Sequence, residues 1–478
     1  MQNTSQMLLL DAVYEQERNH PDRVYLTQPV GRQVIDYSWG ETMDQARRMA
    51  AYLRALELPP NSNIALISKN CAHFIMCDLA IWMAGHVTVA LYPTLPPDTV
   101  AWILEHSEAR LLFVGKLDDW EEMEPGVPAS LPRVVLPLAH LMERMIIEIE
   151  SFYSGGHIYF TETLDTFLQD LNRARPNRFV SVPRLWLKFQ LGVFQNIPEQ
   201  ELERLLQDPE KRAAVGKQVL DSLGLGEVEI AISGSAPIPA ELIEWYDRVG
   251  LTLLEGYGMS EDFAYSHLST PELHRYGYVG PPWPDVQSRI SDEGEIQVKS
   301  PGNMLGYYKA PELTAECYTE DGFFKTGDRG EYSADGLLKI TGRTKELFKT
   351  SKGKYVAPVP IENLLNADSH IELSCVSGLG RPACYAVIQL AEELRGKIGD
   401  QDFRDKLTSE LEALLVAVNS KLESYETLQF LAVARDEWQV ANDFLTPTQK
   451  IKRDAIESAY SPYLDDWYTP GKKVVWQD

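Results

Sequence analysis

Helical patterns and short apolar runs alternate near the start of the chain. Helical patterns at 43–56, 72–84 and 97–108 are each followed by a predicted strand, at 64–67, 87–91 and 110–114, of which the first is an entirely apolar run. Short connections of this kind are typical of βαβ units, in which parallel strands form one sheet and helices cover its faces. The sequence therefore predicts an α/β fold.

Further along the chain the pattern changes to short antiparallel hairpins. Residues 295–299 alternate as a half-buried strand does, and residues 337–340 follow a Ser-Ala-Asp-Gly turn. After Gly342 the hairpin, helix and strand signals begin again, with helical stretches at 362–365 and 402–422. We therefore expect a large N-terminal domain of βαβ-type sheets, residues 1–342, and a small α+β C-terminal domain, residues 343–478.

The charge balance excludes several classes of partner. The 478 residues include 45 basic and 70 acidic side chains, and the formal charge of −25 repels nucleic acids and anionic membranes. The five cysteines form no C-x-x-C pair, which argues against a disulfide framework. The nine histidines are scattered, which argues against a zinc site. No G-x-S-x-G string is present, which argues against a serine hydrolase. No apolar run approaches the roughly 18 residues of a membrane span. We expect a cytoplasmic protein, and a transient contact with a membrane surface stays open.

The most informative string is Leu-Glu-Gly-Tyr-Gly-Met-Ser-Glu-Asp at 254–262. Glycines such as Gly258 let the backbone approach a ligand, and Tyr257 is suited to stacking on a base. A hydroxyl such as Ser260 can hydrogen-bond a phosphate, and a carboxylate such as Glu261 can hold Mg²⁺. A strand end followed by a helix with Ser260 as its N-cap gives the same pattern, so the string alone leaves both interpretations open.

Three further strings follow in order. Lys-Thr-Gly-Asp-Arg contains Asp328, whose carboxylate can accept two hydrogen bonds from a ribose diol, although a solvated turn is the commoner meaning of such a string. Gly-Arg-Thr-Lys-Glu contains Arg343 and precedes a glycine-containing basic loop at 350–354. Leu-Thr-Pro-Thr-Gln-Lys ends at Lys450, which in isolation indicates only a solvated basic turn.

In this order the four strings resemble those of the adenylate-forming superfamily of acyl-CoA synthetases, luciferases and peptide-synthetase adenylation domains. Further strings are similar to the long-chain fatty-acyl-CoA synthetase branch: LPLAHLMER at 136–144, YSGGHIY at 153–159, RPNRFVSVPRLW at 175–186 and GSAP at 234–237. The resemblance covers nearly the whole chain. It implies the adenylate-forming enzyme fold, with a large AMP-binding domain and a small mobile C-terminal domain.

The resemblance implies a long-chain fatty-acid:CoA ligase that uses ATP, Mg²⁺ and CoA. In that family the fatty-acid carboxylate attacks the α-phosphate of ATP to give an acyl-adenylate and pyrophosphate, and the thiol of CoA then displaces AMP. Because two anions must meet, Mg²⁺ and a lysine lower their repulsion. Fatty acid, ATP and CoA are therefore the expected partners.

The resemblance also implies roles for individual residues. The implied cofactor-binding set is the adenine-lining turn Gly234, Ser235, Ala236 and Pro237, then Tyr257 and Gly258, the phosphate contact Ser260, and the ribose contacts Asp328 and Arg343. The implied catalytic set is Glu261 as Mg²⁺ ligand, Lys450 between the α-phosphate and the acyl carboxylate, and His140 near the acyl and phosphate site, with Lys345 at the hinge. A helix-start histidine with a satisfied local hydrogen bond is an equally good interpretation of His140.

One segment of the family pattern is missing. Family members carry a Ser/Thr/Gly-rich phosphate loop and Pro-Lys-Gly before the LPLAH string, whereas here the chain runs straight into that string at 135/136, and no G-x-x-x-x-G-K-[ST] motif replaces the loop. The loss of backbone donors should weaken the binding and orientation of ATP. Three hypotheses remain: an impaired ligase, a non-catalytic protein that binds AMP or an acyl-adenylate, and an adenylating enzyme that loads a carrier protein. Acyl chain length and oligomeric state stay open.

Overall fold

The computed structural model describes residues 7–31, 33–118, 120–135, 144–163, 165–446, 450–468 and 471–477. The chain forms two compact units, Met1–Ala174 and Arg175–Asp478. The domain boundary that we expect at 342/343 lies inside the second unit and stays a prediction. Within the described ranges, no helix is both long and apolar enough to cross a membrane.

The first unit combines two small sheets with surrounding helices. Its helices are α1 Leu9–Asn19, α2 Trp39–Ala55, α3 Ala72–Met83, α4 Pro97–His106, α5 Trp120–Met123, α6 Glu150–Ser154, which continues a π-helical stretch at Arg144–Ile149, and α7 Phe167–Ala174. Its strands are β1 Val24–Val30, β2 Gln33–Ser38, β3 Asn63–Ile67, β4 Val87–Leu91, β5 Leu111–Val114, β6 Arg133–Val135 and β7 Ile158–Tyr159.

Strands β3 to β6 form the parallel sheet that the sequence predicts. The strand order is β4-β3-β5-β6, and every pairing is parallel. Ile64 and Leu66 pack against helices α2 and α3, whereas Ala65 and Ile67 pack against α4. Strand β3 is therefore covered on both faces, which explains why its sequence is a continuous apolar run.

A hairpin that the sequence analysis does not identify forms the other sheet of this unit. Strand β1 pairs antiparallel with β2 and parallel with β7. The ring of Tyr25 stacks on that of Trp39 with centroids 3.6 Å apart. Ser38 begins helix α2 with a reciprocal capping box to Glu41.

The second unit carries the strings from 175 onward. Its helices are α8 Pro183–Asn196, α9 Glu199–Leu206, α10 Arg212–Ser222, α11 Ala240–Val249, α12 Pro311–Glu316, α13 Pro358–Asn366, α14 Glu392–Arg395, α15 Gln401–Asn419, α16 Arg453–Tyr460 and α17 Leu464–Trp467. Its strands are β8 Arg178–Ser181, β9 Ile230–Ser233, β10 Leu253–Tyr257, β11 His267–Leu268, β12 Gln287–Ile290, β13 Glu295–Lys299, β14 Phe324–Tyr332, β15 Leu338–Arg343, β16 Phe348–Lys349, β17 Tyr355–Val356, β18 Ile371–Ser377, β19 Cys384–Leu390, β20 Leu428–Val433 and β21 Val474–Trp476.

Strands β8, β9 and β10 pair in parallel, and β11 adds an antiparallel edge. Helices α8 and α11 pack together through buried aromatic side chains. The rings of Trp186 and Tyr246 meet edge to face at 5.0 Å, and the Tyr246 hydroxyl donates to the Trp186 carbonyl at 2.7 Å. Helices α8 to α11 were not predicted from the sequence.

Strands β12 to β15 form an antiparallel sheet, which confirms the predicted hairpins. The register places Asp328 on β14 opposite Arg343 on β15. Two residues that are 15 positions apart in sequence are thus fixed side by side by backbone pairing.

The last sheet has the order β18-β19-β20-β21 and carries helices on both faces. Side chains of α13 and α15 pack on one face, and those of α16 and α17 pack on the other. The helix predicted at 402–422 ends earlier, at Asn419, and the short one predicted at 362–365 belongs to the longer α13.

A buried ion pair connects this sheet to its helices. The Arg453 guanidinium on α16 donates to both carboxylate oxygens of Glu362 on α13, at 2.7 and 3.0 Å, and to the Val376 carbonyl at 2.9 Å. Glu362 is 6% exposed, and it also accepts from the Val376 N–H at 2.7 Å. A buried carboxylate needs a paired cation, because removal of that cation leaves a buried charge that strongly destabilises the fold.

We predict that Arg453→Met lowers the free energy of unfolding by about 3 to 5 kcal/mol, because it leaves the Glu362 charge buried without a partner. Urea denaturation followed by circular dichroism measures the change. The double variant Glu362→Gln/Arg453→Met keeps an acceptor for Val376 and should recover much of the loss. Equal stability of the wild type and Arg453→Met would show that the Arg453–Glu362 ion pair does not stabilise the fold.

Candidate nucleotide-binding site

The predicted adenine-lining residues meet at one edge of the β8–β11 sheet. Strands β9 and β10 run in parallel with Glu255 opposite Ser233, so both strands end at the same edge. The turn 234–237 continues β9, and Gly258 follows β10 directly. Ligands bind in α/β sheets at such carboxyl ends.

Backbone geometry explains some of the small residues at this edge. Ser235 adopts a left-handed conformation with φ of 68°. A Cβ atom at Gly258 would lie 2.5 Å from the Cα atom of Ala264. Only glycine allows this close approach, which folds the 258–264 segment back on itself.

Tyr257, Asp328 and Arg343 form one hydrogen-bonded group. The Tyr257 hydroxyl donates to Oδ2 of Asp328 at 2.8 Å, and Nε of Arg343 donates to Oδ1 at 2.9 Å. Asp328 is 8% exposed, so the interpretation as a solvated turn is wrong. The structure brings these three predicted contacts together across strands β10, β14 and β15.

The electrostatics of this group follow from its burial. The Asp328 carboxylate raises the pKa of the Arg343 guanidinium, with a smaller contribution from Glu346, which lies 4.0 Å away. Burial and the Asp328 charge raise the pKa of Tyr257 well above its usual value, so its phenol stays a donor. The carboxylate is thus oriented by two donors, and its remaining lone pairs can accept hydrogen bonds from hydroxyl groups of a ligand.

Ser260 and Glu261 lie on a single 3₁₀ turn, Ser260–Asp262. The Ser260 side chain is exposed and makes no cap, because Met259 holds the N-cap position, so the interpretation as a helix N-cap is wrong. Oδ1 of Asp262 instead accepts from the Met259 N–H at 2.8 Å. The serine hydroxyl is therefore open to solvent at the start of the turn.

The Glu261 carboxylate fits a Mg²⁺ ion that a substrate would help to hold. Its Oε1 atom accepts from the Tyr307 hydroxyl at 2.9 Å, a partner that the sequence analysis missed. The described residues contain no group of three or more His, Cys, Asp or Glu side chains suited to a metal. Mg²⁺ suits this arrangement because it keeps several waters and commonly binds one or two carboxylates plus substrate phosphates.

Two buried carboxyl groups lie beneath the loop and were not identified from the sequence. Burial raises the pKa of Glu255 to about 8, although the backbone N–H of Gly277 donates to it at 3.0 Å. Burial likewise raises the pKa of Asp262 to about 6. The Asp262 carboxylate holds the Met259 N–H just after Tyr257, and the Glu255 carboxylate holds the segment at Gly277.

Lys450 lies within the electrostatic reach of the same group. Burial and the Arg343 charge lower the pKa of its ammonium, whereas Asp328 and Glu346 act in the opposite direction. The backbone around it is closed by the N–H of Thr446, which donates to the Lys450 carbonyl at 2.7 Å. Lys450 thus lies near Asp328 and Arg343.

The predicted hinge follows Arg343 directly. Lys345 is exposed on the 3₁₀ turn Thr344–Glu346. Its neighbour Glu346 lies 3.6 Å from the Arg453 guanidinium. Predicted His140 lies outside the described residues.

Two ion pairs link residues 175–342 to residues 343–478. Arg184 on α8 pairs with Glu372 on β18, and Lys421 donates to Glu241 on α11 at 3.0 Å. The arrangement that places Lys450 near Arg343 is therefore also held at points outside the site.

Comparison with known families identifies the class of protein. The AMP-binding enzyme family matches residues 13–133 and 132–308, and the AMP-binding enzyme C-terminal domain matches residues 346–472. The chain therefore belongs to the AMP-binding enzyme family of adenylate-forming ligases. Its match to the first family is divided into two stretches that meet at 132–133.

Curated relatives point to one branch of this family. The chain is 26% identical to the long-chain-fatty-acid--CoA ligase FadD15 of Mycobacterium tuberculosis over 95% of its own length and 96% of that protein. It is 28% identical to long chain acyl-CoA synthetase 3 of Arabidopsis thaliana over 71% of its length and 58% of that protein.

Solved structures support the fold. The A domain of carboxylic acid reductase from Segniliparus rugosus, in complex with AMP and a co-purified carboxylic acid, superimposes with a TM-score of 0.77 at 21% identity and covers 97% of this chain and 95% of that one. Its fold confirms the adenylate-forming architecture that the sequence predicts.

We predict a pH dependence that originates at Glu255. Since its pKa is raised to about 8, the folded state keeps a proton between pH 6 and 8 that the unfolded chain releases. The free energy of unfolding should therefore fall as pH rises, with Glu255 contributing about 1.4 kcal/mol per pH unit. Glu255→Gln should remove this slope, which urea titrations at several pH values measure. Parallel pH curves for the variant and the wild type would contradict the burial argument.

Proposed function

We propose that the protein is a long-chain fatty-acid ligase by mechanism as well as by descent, forming an acyl-adenylate and passing the acyl group to CoA. The convergence of Tyr257, Asp328, Arg343 and Lys450 carries this proposal. Those residues come from four separate strings of the sequence. A purely structural turn gives no reason for a buried aspartate, two donors and an additional cation to meet.

Each residue has a defined task in this proposal. The Asp328 carboxylate accepts hydrogen bonds from the ribose hydroxyls, and Arg343 keeps that carboxylate oriented while its exposed N–H groups contact the ribose. The Lys450 ammonium attracts both the fatty-acid carboxylate and the α-phosphate, which lowers the repulsion between them. Mg²⁺, when bound at Glu261, supplies further charge neutralisation to the phosphates. Rotation of residues 343–478 about Lys345 then opens the acyl-adenylate to the thiol.

The missing phosphate loop determines how efficiently we expect the protein to use ATP. The sequence lacks the Ser/Thr/Gly-rich loop at 135/136, and the family match is divided at nearly the same position. Backbone donors of such a loop hold the outer phosphates of ATP, whereas the ribose contacts do not depend on them. We therefore propose impaired use of ATP together with retained binding of AMP and acyl-adenylate.

The same observation favours a second candidate function, a non-catalytic protein that binds AMP or an acyl-adenylate. Measurable AMP binding without any turnover of ATP would separate it from the ligase.

The acceptor of the acyl group is either CoA or a carrier protein. We propose CoA, because the relatives described above are acyl-CoA ligases, and a direct comparison of CoA with a holo carrier protein as acceptor tests it.

We predict that Lys450→Ala abolishes pyrophosphate release from ATP, Mg²⁺, palmitate or oleate, and CoA, because the two reacting anions lose their shared cation. Lys452→Ala is the matched control, since Lys452 is a nearby lysine that pairs with Asp443 at the surface. That control should retain the wild-type rate. Equal loss in both variants, or no loss in either, would contradict the proposed role of Lys450.

We predict that Asp328→Ala weakens AMP binding by roughly 10- to 100-fold, because hydrogen bonds to a charged acceptor contribute about 1.5 to 3 kcal/mol. Isothermal titration calorimetry measures the affinity. Asp335→Ala, at the exposed β14–β15 turn, serves as the control and should bind AMP as the wild type does. Unchanged affinity in Asp328→Ala would remove the ribose assignment.

A further inference from the structure

One loop segment holds Glu261 by both its backbone and its side chain. The Met304 N–H donates to the Glu261 carbonyl at 2.7 Å. Three residues later, the Tyr307 hydroxyl donates to Oε1 of the Glu261 carboxylate at 2.9 Å. The carboxylate proposed to bind Mg²⁺ is thus oriented by residues more than 40 positions away in sequence.

Tyr307 is itself fixed by its surroundings. Its backbone N–H donates to the Thr314 hydroxyl at 2.9 Å, and that hydroxyl donates to the Ala310 carbonyl at 2.9 Å. Gly306 has φ of 151°, and a Cβ atom there would lie 3.0 Å from the Thr314 methyl group. The turn that presents the phenol therefore has little freedom.

The hydrogen bond between Tyr307 and Glu261 has a defined donor and acceptor. The Tyr307 hydroxyl donates and Oε1 of Glu261 accepts. A donor on Oε1 fixes the plane of the carboxylate and leaves its other lone pairs available to a cation. The adjacent Tyr308 is 53% exposed. Of the two adjacent tyrosines, the one hydrogen-bonded to Glu261 is Tyr307.

We propose that Tyr307 is the positioning residue for the divalent cation, holding the Glu261 carboxylate in a fixed orientation for Mg²⁺. This inference rests on the proposed function, because it assumes that Glu261 binds the ion. Partners that orient a metal-binding carboxylate typically change metal affinity by about 10- to 100-fold when they are removed. Tyr307 thus acts through Glu261 and need not contact substrate.

The test compares Tyr307→Phe with Tyr308→Phe, each of which removes one hydroxyl from adjacent tyrosines. Mn²⁺ replaces Mg²⁺ as a spectroscopic probe, and electron paramagnetic resonance measures its binding to the full chain with a non-hydrolysable ATP analogue. The Mg²⁺ concentration for half-maximal pyrophosphate release is measured in parallel. Thermal unfolding shows whether each variant remains folded.

We expect Tyr307→Phe to weaken Mn²⁺ binding by about 10-fold and to raise the Mg²⁺ requirement similarly, with the maximal rate at saturating Mg²⁺ changed less. Tyr308→Phe should match the wild type in both measurements. Wild-type turnover with identical metal affinity in both variants would overturn the role of Tyr307 and leave the ligase function intact. A wild type that binds no Mn²⁺ and releases no pyrophosphate would overturn both.

Discussion

The candidate site depends on one buried carboxylate. Asp328 is held by a phenol from strand β10 and a guanidinium from strand β15, and its place on β14 is set by backbone pairing. A buried carboxylate without hydrogen-bond partners would be strongly unfavourable, and the two donors provide those partners. The same two donors leave the carboxylate oriented toward a ligand that offers hydroxyl groups. The same two hydrogen bonds therefore stabilise the buried Asp328 carboxylate and orient it for a ligand.

A chain of charges extends from this carboxylate into the C-terminal part of the protein. Arg343 approaches Glu346, Glu346 approaches Arg453, and Arg453 is paired with the buried Glu362. The predicted hinge residue, Lys345, lies between Arg343 and Glu346 in the sequence. Movement about the hinge would therefore have to exchange charged partners, which favours two discrete arrangements over a continuous range.

The sequence predicts the parts of the fold that have strong periodicity. The strand at 64–67 is found because both of its faces are buried, and its residues are accordingly all apolar. The strand at 87–91 lies at the edge of the same sheet and is mostly apolar, with Thr88 as its one polar residue. Helices α8 to α11 were not predicted, although α9 and α11 each have a clear apolar face and the stretch contains turn residues such as Pro198, Pro209 and Gly250. The strings around Asp328 and Arg343 suggest ribose binding, but only the register of β14 and β15 shows that the two side chains meet. Tyr307 and Glu255 could not be found in this way, since their importance comes from burial and from long-range contacts.

We propose that the nucleoside half of an adenylating site persists in this protein without the phosphate loop. The most direct measurement is calorimetric titration of the purified chain with an acyl-sulfamoyl adenosine, a stable mimic of the acyl-adenylate, alongside ATP. We expect the mimic to bind about 100-fold more tightly than ATP, because it engages the ribose and acyl contacts and needs no donors for outer phosphates. No detectable binding of the mimic by a folded protein would contradict the account.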